Sequence, residues 1–139
     1  MRGIPLLLLG ATLVSCTAVP PEPSRSARME QRYQQLIAGK VAQPPVSCIP
    51  HYNASDMTTI DDNTVVFGHG TLTGPVYVAH MRGPCSGLAG PGPNALVTRE
   101  VGSAQLCSGD IATVVDTMAH MTVGSCTFGD FTPYVRPGA

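Results

Sequence analysis

The sequence predicts a mainly β protein: a small antiparallel sheet or partly closed barrel with two disulfides, preceded by one amphipathic N-terminal helix. Three observations carry this. From Val46 onward, short β-branched and apolar segments alternate with turns rich in glycine and proline. Four cysteines, Cys48, Cys85, Cys107 and Cys126, are spread through that same region. One stretch alone, Arg25 to Ala38, has a convincing helical period. The 139 residues are enough for one domain and not two.

In chain order, the first element is a leader. Arg2 gives a short positive start, and Ile4 to Val14 is apolar apart from Pro5, Gly10 and Thr12. A permanent membrane helix needs about 20 apolar residues, so this stretch has the proportions of a secretory signal. It ends in Leu13-Val14-Ser15-Cys16, which resembles the lipobox of bacterial lipoproteins. That resemblance implies a leader over 1–15, diacylation of the Cys16 sulfur and a mature N-terminus at Cys16. The other reading of the same residues is a simple secreted chain cut after Ala18. Thr17, where an aspartate would imply inner-membrane retention, points to the outer membrane, again by resemblance to lipoproteins. Each acyl CH₂ buried in lipid contributes about 0.8 kcal/mol, so more than one chain anchors stably.

Residues 16–24 contain Pro20, Pro21 and Pro23 and read as a stiff, extended tether. In the helix segment, 25–39, Met29, Tyr33, Leu36 and Ile37 fall on one face; Ser24 or Ser26 can cap its start and Gly39 can end it. Such a stripe is expected to pack on its own domain, a partner-binding or membrane-lying helix being the alternative. Gln43-Pro44-Pro45 marks the entry to a disulfide-stapled β domain spanning 44–137. The expected strands are Val46 to Tyr52, Asn63 to Phe67, Pro75 to Met81, Ala95 to Glu100, Ile111 to Val115 and Met121 to Phe128. Ile111 to Met118 also fits a helix capped by Asp110. Its β-branched residues, and a turn over Asp116 to His120 leading into Met121-Thr122-Val123, favour a hairpin.

Five cysteines would leave an odd thiol in an oxidising compartment. If Cys16 carries lipid, the other four read as two disulfides. Three pairings are open. The expectation is Cys85 with Cys107 and Cys48 with Cys126, which would join the first and last strands; the shorter bridge would contribute on the order of 3 kcal/mol. Net charge is −1, too small to suggest nucleic acid or electrostatic attachment to anionic lipid.

No motif carries catalysis. His51, His69, His80 and His120 have no ligand spacing among themselves or with the cysteines, so no metal site and no cofactor are expected. On a strand, His80 would share a face with Val76 and Val78 and be partly buried; His69 and His120 should be exposed. Gly-x-Ser-x-Gly is absent. Ser108-Gly109-Asp110 reads as a turn in which Asp110 accepts from nearby backbone amides, and a triad of Ser108, Asp110 and His120 has nothing but composition behind it. Asp56, Asp61 and Asp62 lack the ligand order of a calcium loop. No catalytic residues are assigned.

Pro45-Val46-Ser47-Cys48-Ile49, Cys85-Ser86-Gly87-Leu88, Leu106-Cys107-Ser108-Gly109-Asp110-Ile111 and Gly124-Ser125-Cys126-Thr127-Phe128-Gly129-Asp130-Phe131 resemble an uncharacterised family of small exported bacterial four-cysteine proteins. The resemblance implies an exported disulfide domain and carries no activity. The expected function is therefore a non-enzymatic envelope lipoprotein, a binding or structural module with a membrane anchor at Cys16, a protein partner in the envelope and no nucleic acid. The alternatives are a periplasmic inhibitor of a cell-wall hydrolase or protease, with Leu88 to Asn94 as its loop, and a metal-binding or enzymatic domain using the histidines.

Overall fold

The fold is organised by its last strand. In a computed structural model describing residues 25–50, 56–68, 74–98 and 105–138, one helix and nine strands follow in order. These are α1 (Ala27–Ile37), β1 (Val41–Ala42), β2 (Cys48–Ile49), β3 (Thr58–Asp61), β4 (Thr64–Phe67), β5 (Val76–Met81), β6 (Asn94–Thr98), β7 (Leu106–Cys107), β8 (Ile111–Asp116) and β9 (Met121–Val135). The main sheet runs β3-β4-β5-β9-β8-β6, with β1 also paired to β9. All pairs are antiparallel, and the sheet curls into a half-barrel.

β9 can serve so many partners because it is long and bent. Residues Met121 to Thr127 pair with β8, and Phe128 to Tyr134 pair with β5. The register slips twice, once between Val114 and Val115 and once between Ala79 and Met81. Each slip puts an extra residue on β9, and a glycine sits at each. A Cβ on Gly124 would collide with the Ser86 carbonyl, and one on Gly129 would lie 2.5 Å from the His80 carbonyl. Bulges of this kind bend a strand and increase its twist. The expected strand, Met121 to Phe128, continues to Val135. Pro133 fits because its carbonyl accepts from Gln43 N–H (2.8 Å) and its missing donor is not needed.

The two faces of the sheet carry separate apolar clusters. The larger includes Phe67, Leu96, Leu106, Val114, Phe128 and Phe131. Its three phenylalanines meet with centroids 5.8–6.3 Å apart. The smaller holds Ile60, Val66, Val76 and Val78 under the helix. Ile111–Asp116 is a strand, so the hairpin reading holds. β3 and the short strands β1 and β7 are additions to the expected set, and β1 takes the chain into the sheet before Pro44. The expected first strand is reduced to Cys48–Ile49, with a single bridge at Val46; residues 51–55, like 1–24, 69–73 and 99–104, lie outside the described set.

The disulfides are Cys48–Cys107 and Cys85–Cys126, which corrects the expected pairing. The reason is register. β2 and β7 form a separate two-stranded ladder in which Cys48 is directly opposite Cys107, Cα atoms 4.0 Å apart. Ser108 N–H bonds to the Ser47 carbonyl, which makes the cysteines a non-hydrogen-bonded pair, the closer kind. Cys126 instead faces the interior from β9 and meets Cys85, whose N–H bonds to the Asp62 carbonyl.

Candidate functional site

A concave surface lies where α1 meets the β3–β4 hairpin. Ser26 starts the helix: its Oγ accepts from Met29 N–H at 3.3 Å. Gly39, with φ +69, ends it in the left-handed conformation that glycine adopts without strain. Lys40 then donates from Nζ to the Leu36 carbonyl at 3.1 Å, placing a cation at the negative end of the helix. Met29, Tyr33, Leu36 and Ile37 all pack on the smaller cluster. The amphipathic stripe therefore faces its own sheet, and the exposed face carries Arg28, Gln31, Arg32 and Gln35.

Arg25 holds the start of this helix to the hairpin. Its Nε donates to Asp61 Oδ2 (2.8 Å), one terminal nitrogen to Glu30 Oε2 (2.9 Å) and the other to Thr64 Oγ1 (3.1 Å). The guanidinium also lies 4.5 Å from the Tyr33 ring centroid, a cation–π distance. Thr64 is the one buried polar residue among the described residues, and this bond helps satisfy it. Burial opposes ionisation of Asp61. Hydrogen bonds from Arg25, the Asn63 amide and Thr64 outweigh it, so its carboxyl is held below the ordinary range. Glu30 is also lowered, by hydrogen bonds from Gln34 and Arg25. Beneath the helix, burial and the hydroxyl contact with Tyr134 (3.4 Å) push the Tyr33 phenol up.

Two clefts flank the helix. One, about 400 Å³, is lined by Arg28, Met29, Gln31, Arg32, Gln35 and Thr58. The other, about 240 Å³, lies between Arg25, Ser26, Met29, Ile60 and Asp61. Nothing in the sequence singled out Arg25, Thr64 or Tyr134, because their roles depend on contacts across 36 to 101 positions.

The residues considered for chemistry are scattered. Asp110 Oδ2 accepts from Cys107 N–H (2.7 Å), the turn role expected of it, and Ser108 Oγ accepts from Arg82 (2.9 Å). His120 is at the far end of β8, and a six-residue strand is about 20 Å long. Ser108, Asp110 and His120 are thus not brought together. His80 is exposed, which corrects the partly buried placement. The helix covers Val76 and Val78 further along β5, while His80 pairs with Thr64 beyond it. Asp62 Oδ1 accepts from Ala89 N–H (2.7 Å), so Asp61 and Asp62 are both engaged in local structure. Among the described residues, no group of three or more His, Cys, Asp or Glu gathers around a common point, and no helix is long and apolar enough to cross a membrane. His51, His69 and Cys16 lie outside the described residues. Comparison with protein-family models, with curated proteins and with solved structures found no match.

Proposed function

We propose that this chain is a lipid-anchored, non-enzymatic module of the bacterial cell envelope, tethered at Cys16 and facing the periplasm from the outer membrane. One observation carries the reading. The pairs Cys48–Cys107 and Cys85–Cys126 absorb four of the five cysteines. The one left over is Cys16, in the lipobox-like Leu13-Val14-Ser15-Cys16. Two disulfides fit an oxidising compartment, and a lipidated Cys16 leaves no stray thiol there. The four-cysteine contexts fit the family of small exported proteins that they resemble. On this reading the tether meets the folded part at Arg25, which Asp61, Glu30 and Thr64 hold in place. A partner would then meet a domain oriented by its own anchor, with the clefts beside α1 offering polar contacts.

The test is in-cell crosslinking of the anchored protein, with membrane fractionation of a Cys16→Ser variant beside it. The parent should remain with the outer membrane and capture a defined envelope protein, and the variant should leave the membrane. A parent that captures no envelope protein, or a variant that stays membrane-bound, would contradict the reading.

A second reading, inhibition of a periplasmic hydrolase, is favoured by one specific feature. The loop between β5 and β6 is exposed at Ala89, Pro91, Gly92 and Pro93, yet rigidly based. Leu88 is buried, Cys85 is bridged, and Asn94 donates to the Gly87 carbonyl at 2.6 Å. Preorganised loops lose little entropy on binding. Soluble domain that fails to slow a panel of cell-wall hydrolases and proteases would remove this reading.

A further inference from the structure

The β8–β9 hairpin ends in Asp116-Thr117-Met118-Ala119-His120-Met121. Met118 and Met121 are the most exposed large apolar residues among those described, at 79% and 62%. His120 stands between them, exposed, with φ +53, the one non-glycine residue with positive φ among the described residues. Among the described residues, none of these three side chains has a hydrogen-bond or ion-pair partner.

The turn that carries them is fixed. Asp116 Oδ1 accepts from the N–H groups of Met118 (2.8 Å) and Ala119 (2.9 Å). Thr117 donates to the Pro93 carbonyl from its amide (3.1 Å) and its hydroxyl (2.6 Å). Asp116 and Met121 are opposite each other in the ladder. Even fully extended, the chain from Met118 to Met121 spans no more than about 10 Å, and a turn shortens it. Two long, flexible thioethers and one imidazole thus project from a few residues of ordered backbone.

We propose that Met118, His120 and Met121 form a binding site for a soft monovalent cation, Cu(I) or its stand-in Ag(I). Thioether sulfur is a weak ligand for zinc, calcium and magnesium but a good one for Cu(I), and imidazole suits copper as well. Sulfur–sulfur–nitrogen coordination matches the low coordination numbers such ions accept. The four cysteines of the domain are locked in disulfides and offer no thiolate. Thioethers therefore supply the sulfur ligands that an oxidised domain still has. One oxygen of Asp116, Oδ1, is taken up by the Met118 and Ala119 amides that fix the turn. Binding involves no change of oxidation state and does not depend on the anchor at Cys16.

The experiment titrates silver nitrate into the full chain carrying Cys16→Ser, disulfides intact, observed by NMR at the methionine methyls and histidine rings. The methyls of Met118 and Met121 and the ring of His120 should shift together and saturate at one ion per chain, with buried Met81 unmoved. Met118→Leu and Met121→Leu keep the shape of the side chain. His120→Asn keeps a residue that tolerates the left-handed backbone. Each should weaken Cu(I) in competition with a chromophoric chelator by at least about tenfold. The proposal is overturned if silver leaves the three residues unmoved, if they respond independently of one another, or if the variants bind as tightly as the parent.

Discussion

At the scale of single residues, Arg25 does the most work for its size. It joins a carboxylate in the first turn of α1, a carboxylate on β3, a hydroxyl on β4 and an aromatic face. Replacing it with alanine should cost about 1–2 kcal/mol by urea unfolding, since charge-assisted bonds are lost and Thr64 loses a partner at a buried position. Asp61 supplies the pH dependence. Its native carboxyl titrates below the unfolded value of about 4. The stability it contributes is present above that value and is lost as the pH falls through the lower native one. Unfolding free energy measured from pH 5 down to pH 2 should fall less steeply in Asp61→Asn than in the parent. Equal slopes would mean that Arg25 and Asp61 are not coupled in solution.

At the scale of elements, the hairpin and the helix were legible in sequence because their signals are local. The helical stripe of Met29, Tyr33, Leu36 and Ile37 needs only period and capping, and it packs as its period implies. The turn at Asp116 to His120 needs only a polar residue between β-branched runs. β9 was legible in its first half alone. Its continuation to Val135 depends on β5 and β1 reaching the same strand from distant parts of the chain. Gly129 therefore sits at a bulge inside the strand, beyond the end expected for it. Gly129→Ala and Gly124→Ala, each driving a Cβ into a backbone carbonyl, should lose about 1–3 kcal/mol. At Gly92 the nearest neighbour is a side-chain atom 3.4 Å away, and alanine there should cost under about 0.5 kcal/mol. Thermal denaturation of the three variants checks the order.

At the scale of the molecule, a small half-barrel with no tryptophan depends on its bridges. The pairings close separations of 59 and 41 residues. In the chain-entropy model each contributes roughly 4 kcal/mol, more than the shorter bridge expected from sequence would have given. Losing one leaves a positive balance across the range of about 5–15 kcal/mol typical of a domain, and losing both removes about 8 kcal/mol, more than a domain at the lower end holds. Cys48→Ala with Cys107→Ala, and Cys85→Ala with Cys126→Ala, should each lower the urea midpoint sharply, and the fourfold variant should be unfolded. The pairing itself could not be read beforehand. It follows from β2 meeting β7 in register, and two-residue strands leave no periodic trace in a sequence. The same limit applied to the cleft beside α1, assembled from a helix and a hairpin far apart in the chain.

On the proposed reading the domain is oxidised and its remaining cysteine carries the anchor. Mass spectrometry of unreduced protein extracted from membranes tests it directly, with proteolytic mapping of the same sample. The account predicts a mature chain beginning at a lipid-modified Cys16, with linked peptides joining Cys48 to Cys107 and Cys85 to Cys126. An N-terminus after Ala18, an unmodified Cys16, or a bridge involving Cys16 would contradict it.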